Sequence, residues 1–292
     1  LNDVASVSAD GSTYEAVSTR HYTFVELAEI YNQTRIDYIV PMPMNGRRLE
    51  EYAHFYDVHP DASMVIVDEN GNPVALGMLG LRGERAWITR LGVLPGQRGH
   101  GLGHFLMETL LHTARRYGAR RVQLEVIEGN QPAFRLFTRF GFIETRKLLV
   151  LRRAPTPVSL GEFAIGETRD MDVEEILETL RNRIQNDPVT ASSWLDETES
   201  LMNAGSLTGF RLVSTDENEW IIYRSATFQI THIVLKAKTT QTALALLQAM
   251  HNRHQSNDTK LENLPVDSPF WAAFQHADYR VEFTRLEMAR DL

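Results

Sequence analysis

Residues 94–105, LPGQRGHGLGHF, combine residue types that can hold an anion. Gly96, Gly99, Gly101 and Gly103 fall within ten residues, Arg98 stands among them, and an apolar helical pattern follows directly. A glycine-rich turn that opens a helix presents backbone N–H groups with no intrahelical partner, and the helix dipole adds positive potential there. Glycine also lets the backbone approach a pyrophosphate closely and adopt positive φ without steric cost. The chemistry suggested is phosphate binding by main-chain amides. A plain structural turn explains one or two glycines, but less readily the spacing Arg98-x-x-Gly101-x-Gly103.

Two better-known phosphate loops do not fit. No Gly-Lys-Ser/Thr follows, as a P-loop needs. The spacing GxGxG, without an acidic residue ending the next strand, also departs from a dinucleotide fingerprint. With no cysteine, disulfides, thiolate metal sites and cysteine nucleophiles are excluded. The ten histidines show no HExxH or comparable spacing, so no metal is expected.

The loop sits between a strand and a helix. Residues 85–93 alternate as a strand. Leu102, Phe105, Leu106, Leu110 and Thr113 or Ala114 recur every three or four residues and form one buried helix face. Upstream, the patterns predict a strand at 14–17, helices at 23–34 and 46–57 (the second capped by Asn45), and strands 63–68 and 73–82 flanking Asn70-Gly71-Asn72. Downstream come a strand at 120–127, a helix at 130–140 capped by Asn130, and a closing strand at 142–152. Pro155 and Pro157 mark a linker.

The ending of this half recurs. LEVIEGNQPAFRLFTRFGF from Leu124 aligns without a gap on LENLPVDSPFWAAFQHADY from Leu261. Asn130 meets Asp267, which should likewise cap a helix, Pro132 meets Pro269, Phe137 meets Phe274, and Phe142 meets Tyr279. WITRLGV, with Ile88, resembles QITHIVL, with Ile230, but the offset there is larger by five residues. The shortening falls on the glycine loop, replaced by KAKTTQT. One fold written twice is expected, with the loop in one copy only.

Here the sequence resembles the GNAT superfamily of acyl-CoA-dependent N-acyltransferases. The hallmark is a strand ending in a branched apolar residue, then Arg/Gln-x-x-Gly-x-Gly/Ala, then a helix, read here from Leu91 and Val93 through Arg98, Gly99, His100, Gly101, Leu102 and Gly103. A second block follows as Asn130, Ala133, Leu136, Phe137 and Gly141-Phe142. The resemblance covers residues 63–152 specifically, and the second half resembles a degenerate copy. It implies an α/β (α+β) fold of two tandem domains, each a mixed, mostly antiparallel sheet with splayed central parallel strands flanked by helices. The domains would be 1–154, a GNAT N-acetyltransferase domain with the intact loop, and 158–292, a GNAT-like domain without it.

The resemblance further implies that amides of Arg98–Gly103 hold the CoA pyrophosphate, that the backbone at Leu91 and Val93 pairs with the pantetheine arm, and that Asn130 contacts it. The second block, with Ala133 and Phe137, would border the same cofactor. Acetyl-CoA would be the co-substrate, attacked directly by a primary amine. The family often has Tyr where Phe137 stands, whose hydroxyl protonates the leaving thiolate. Phe137 cannot do this, so a non-catalytic acyl-CoA-binding or regulatory protein is the alternative.

The general base is not evident from any single position. Glu84, Glu125, His54 and Tyr56 are candidates, and each equally suits an ordinary surface or packed site. Tyr31, Tyr38, Met42, Met44 and Phe55 are candidates for an acceptor pocket. Arg115, Arg116, Arg120 and Arg121 suit either the CoA 3′-phosphate or a helix C-terminus, and Arg135 and Arg139 on one helix face divide similarly.

The chain of 292 residues suggests about two domains. Residues 1–154 carry 18 Lys and Arg against 17 Asp and Glu, whereas 155–292 carry 12 against 21. No basic footprint for nucleic acid is evident, and no apolar run approaches the ~20 residues of a membrane span. The start, LNDVASVSADGS, lacks the basic and apolar regions of a secretory signal. A cytoplasmic protein acting on a small-molecule or peptide amine is expected. Because tandem copies satisfy pairing within one chain, a monomer is expected, with a dimer as the alternative.

Overall fold

The structure is a computed structural model that describes residues 6–9, 12–157, 167–186, 192–213 and 218–292. Its first half runs β1 (Ser6–Ala9), β2 (Ser12–Ser18), α1 (Phe24–Thr34), α2 (Gly46–Phe55), β3 (Met64–Val67), β4 (Pro73–Arg82), β5 (Arg85–Val93), α3 (Leu102–Arg116), β6 (Arg121–Ile127), α4 (Gln131–Arg139) and β7 (Ile143–Arg153). Its second half runs β8 (Thr168–Asp170), α5 (Val173–Asn186), α6 (Thr198–Ala204), β9 (Leu207–Leu212), β10 (Trp220–Ser225), β11 (Gln229–Lys236), α7 (Thr240–Arg253), β12 (Asp258–Pro265), α8 (Trp271–His276) and β13 (Arg280–Asp291). From β2 to β7 and again from β8 to β13 the order is the same, so the repeat extends well beyond the motifs that revealed it.

Local chemistry sets the element starts. Thr23 caps α1 and Glu26 reaches back to the cap, forming a reciprocal box. Asn45 caps α2 by accepting from Arg48 N at 2.9 Å. Asn130 caps α4 by accepting from Ala133 N at 3.3 Å. Asp267 does not do the same. The N-cap of α8 is Phe270, without a side-chain bond, and Asp267 lies three residues ahead of it. The second turn into that helix is instead built from Ser268, whose hydroxyl accepts from Phe270 N.

Two compact units emerge. One extends to Thr145 and adds Leu286–Leu292, and the other is Arg146–Arg285. In the first, β1 to β5 pair antiparallel in sequence order and β5 pairs parallel with β6. The apolar face of α3 (Leu102, Leu106, Leu110) packs with Ile66, Leu79, Ile88, Val122 and Leu124. The helix lies close on β4: a Cβ added to Gly77 would stand 2.7 Å from Leu110 Cδ1. Leu286 and Met288 join this same core, and Leu292 N donates to Arg120 O at 2.8 Å.

In the second unit β8 to β11 pair antiparallel and β11 pairs parallel with β12. Antiparallel to β12 runs β7, with Leu261 opposite Leu151. Thus the strand that closes the first repeat serves the second unit, while the end of the strand that closes the second repeat serves the first. The core of the second unit gathers Leu151, Phe210, Ile221, Leu247, Met250 and Phe274.

Candidate active site

The parallel ladder of β5 and β6 is short. It runs from Arg85↔Arg121 to Ile88↔Leu124 and ends there. Beyond it β5 carries a bulge: its register on β4 shifts between Leu76 and Met78, and Arg90 takes φ 52°. Thr89 and Glu125 are the first residues past the ladder, one on each strand. Thr89 is held from α2 and Glu125 from β5 itself. Tyr52 Oη and Thr89 Oγ1 lie 2.6 Å apart, and Trp87 Nε1 donates to Glu125 Oε2 at 2.7 Å. Tyr56 stands edge-on to Tyr52 and Trp87, with ring centroids at 4.8 and 5.9 Å. The divergence therefore has an aromatic wall with one carboxylate fixed at its apex.

Tyr31 extends this wall, accepting from Arg90 Nη1 at 3.0 Å. Tyr38 connects it to α4, because Asn130 Nδ2 donates to Tyr38 Oη at 3.2 Å. Met42 and Met44 lie on the segment between α1 and α2, which Asn32 fixes by bonding both backbone groups of Met44. Phe55 contacts Tyr56 edge-on at 6.4 Å. The approach of α1 to β5 needs a glycine, since a Cβ on Gly92 would meet Thr34 Oγ1 at 2.5 Å.

At the far end of β5, the chain passes through a short 3-10 turn (Pro95–Gln97) and enters α3 at Gly101. Gly99 and Gly101 have φ of 89° and 80°, a left-handed conformation that a side chain disfavours by about 1–3 kcal/mol. Gly101 offers no side-chain cap, and no acid occupies the first turn of α3. The amides of Leu102, Gly103 and His104 are thus left for an anion. Here the donor set fits a phosphate. His100 is exposed beside them. Arg98 is not itself aimed at that position. It grips Asp37 through both terminal nitrogens (2.7 and 2.8 Å), donates to Thr34 O at 3.0 Å and to Val93 O at 3.1 Å. Its hydrogen bonds to Asp37 hold that carboxyl below the usual range. Arg98 therefore braces the loop against the end of α1. The carbonyl of Leu91 accepts from Arg35 at 3.3 Å.

Of the residues singled out from sequence, Glu125 and Tyr56 both contact Trp87 at the divergence, Leu91 and Val93 continue β5 beyond it toward the glycine loop, and Asn130 bonds to Tyr38. Glu84 does not join them. It precedes β5, bridges to Arg120 at 2.9 Å, and lies roughly 15 Å along the strand from the divergence. His54 is on the exposed side of α2. Phe137 is buried against Phe142, with centroids 6.2 Å apart, and Ala133 packs on the same core. Arg115 and Arg116 end α3, about 20 Å from the loop, and Arg121 pairs with Asp291 at 3.1 Å. Sequence reasoning missed Trp87, Tyr52, Thr89 and Arg90. The register of β5 brings Trp87 onto Glu125 and Thr89 to Tyr52, and the bulge past Thr89 lays Arg90 over the rings of Tyr31 and Tyr52. Among the described residues no group of three or more His, Asp or Glu is placed to hold a metal, and no helix is long and apolar enough to cross a membrane.

Residues 26–142 match the acetyltransferase (GNAT) family. A spermine/spermidine N(1)-acetyltransferase of Bacillus subtilis is 35% identical over 81 residues, which are 25% of this chain and 53% of that protein. An uncharacterised N-acetyltransferase of Mycobacterium tuberculosis is 35% identical over 101 residues, covering 34% of this chain and 62% of its own. The chain thus spans a little over half the length of these relatives. Among solved structures, a tandem GNAT protein from the clavulanic acid biosynthesis pathway superposes with TM-score 0.65 at 14% identity, covering 95% of this chain and 98% of that one. Residues 26–142 are thus similar to the GNAT family of acetyltransferases, and the chain shares its fold with a tandem GNAT protein.

Proposed function

We propose that the first unit transfers an acetyl group from acetyl-CoA to a primary amine. The observation that carries this reading is the open N-terminus of α3, reached by a left-handed glycine turn, at the end of a strand that has parted from its parallel neighbour. The amides from Arg98 to Gly103 would hold the pyrophosphate, and the parted edge of β5 around Leu91 and Val93 would accompany the pantetheine. The amine nitrogen attacks the thioester carbon, a C–N bond forms, the C–S bond breaks, and the proton lost by the amine ends on the CoA thiol. Glu125, bonded to Trp87 past the end of the ladder, would take that proton, with Tyr56 packed on the same Trp87. Asn130 supports the site through Tyr38. The second unit is read as a decayed copy that serves as scaffold, and the protein as a monomer.

A second reading has a specific observation in its favour. Phe137 lies in the core without a hydroxyl, so this position offers no proton to the departing thiolate, and acyl-CoA binding without transfer would follow. Loss of one acid–base group costs typically 10²–10⁴-fold, which slows transfer without abolishing it. Release of CoA thiol from acetyl-CoA in the presence of an amine panel separates the two. Amine-dependent release supports transfer; saturable acetyl-CoA binding with no release for any amine supports the binding protein.

A further inference from the structure

Arg35 is a cation that the acyl-transfer chemistry does not use. It follows the last turn of α1, where its N–H bonds to Asn32 O. Its guanidinium stands 4.2 Å over the Tyr38 ring and 4.9 Å over the Tyr31 ring, and Nη2 donates to Leu91 O on the parted stretch of β5. Its Nε is buried and has no hydrogen-bond partner, and no carboxylate pairs with it among the described residues. The C-terminal dipole of α1 favours a cation in this vicinity, but it does not explain a guanidinium laid across two rings with a donor left over. Arg90 brings a second guanidinium to the same ring, 5.2 Å over Tyr31, from the bulge one residue past Thr89. Two cations share one tyrosine beside the divergence that would receive the acceptor.

We propose that Arg35 is a specificity-determining residue that binds a carboxylate on the acceptor, so that the amine acylated is a small amino acid-like molecule. This rests on the acyl-transfer reading above. A guanidinium fork matches a carboxylate in plane and forms charge-assisted bonds. Stacking on Tyr31 and Tyr38 holds the fork in place before the acceptor arrives, which reduces the ordering cost of binding. Leu91 lies two residues beyond Thr89 on β5, so a carboxylate held there leaves the amine of the same molecule free to reach toward Glu125. The same wall repels a polyamine.

The test uses the whole protein with acetyl-CoA and three acceptor sets: free amino acids, their carboxamides, and spermidine. Thiol release gives kcat and KM, and calorimetry gives the acetyl-CoA Kd separately. Free acids should react best, with kcat/KM at least 10-fold above the matching carboxamide and with spermidine lowest. Arg35→Gln should raise KM for the best acid 10- to 100-fold, leave the carboxamide unchanged and leave the acetyl-CoA Kd unchanged. Arg35→Lys, which keeps the charge without the fork, should recover part of the loss. Equal rates for acid and carboxamide, or preference for spermidine, overturn the proposal. So does an Arg35→Gln variant, folded by its Tm, that loses acetyl-CoA affinity and keeps the acceptor KM, because Arg35 would then serve the CoA. Absence of acetyl-CoA binding or of any thiol release instead defeats the acyl-transfer reading and this proposal with it.

Discussion

The two units follow one plan and differ where the first one leaves groups open. Both have a bulged strand with a non-glycine residue at positive φ at matching positions, Arg90 at 52° and His232 at 53°. In both, the parallel ladder stops early, at Ile88↔Leu124 and at Ile230↔Thr259. Glu125 and Glu262 occupy matching positions. The first unit then enters α3 through glycines with uncapped amides, whereas the second enters α7 through Thr239, whose hydroxyl accepts from Thr242 N at 3.1 Å while Thr242 reaches back. In the second unit a 3-10 turn, Trp194–Asp196, packs against both β11 and β12, with Trp194 fully buried. Glu262 is taken up by Lys260 at 2.9 Å and Arg285 at 2.7 Å. The lesson is that the same order of strands and helices forms in the second unit, where side chains of the chain itself cap the helix that the first unit leaves uncapped.

That contrast is easiest to break at Gly101. Gly101→Glu adds a side chain at φ 80° and an acid where an anion should bind, so acetyl-CoA affinity should fall more than 100-fold by calorimetry. Thr239→Glu, at the matching helix of the second unit, should leave that affinity unchanged. Glu125→Gln should lower kcat by 10²–10⁴ in a thiol-release assay with little change in acetyl-CoA Kd. Glu262→Gln should not alter kcat.

Buried titration sharpens the comparison on the stability side. Burial of His251, whose Nε2 lies 3.0 Å from Tyr279 Oη, pushes its pKa down to about 3. In the unfolded chain the ring takes its proton near pH 6.5. Between these values the unfolded state binds more protons, so this contribution is full above about pH 6.5 and is lost as pH falls toward 3. A loss on the order of a few kcal/mol should appear in urea titrations across that window, diminished in His251→Gln. Asp196 opposes it, because burial lifts its carboxyl to about 7 and folding is then disfavoured as pH rises toward that value. Asp196→Asn should therefore make the acid-side fall steeper. The smallest effect expected is that of Thr239→Ala, which removes the α7 cap and should cost about 1 kcal/mol with acetyl-CoA binding intact.

Much of this was readable from residue spacing. Glycine positions located the turn into α3, Asn45 and Asn130 marked helix starts, and the alignment of Phe137 with Phe274 exposed the repeat. Three things were not. Positive φ at Arg90 has no sequence signal, since it is imposed by the bulge opposite Leu76 and Met78. The aromatic wall joins α2, β5 and β6, whose register alone decides that Trp87 meets Glu125. The exchange of closing strands is hidden because Leu149 and Leu151 and, in the other copy, Leu286 and Met288 present equivalent apolar patterns. Only packing determines which core each joins.

The central claim is that one unit alone keeps a working acyl-CoA cradle, and calorimetric titration of acetyl-CoA tests it most directly. The account predicts one molecule bound per chain, a rise of about 2.7 kcal/mol in stability at 100 times Kd, and loss of both in Gly101→Glu but not in Thr239→Glu. Two molecules per chain, or binding that survives Gly101→Glu, would contradict it.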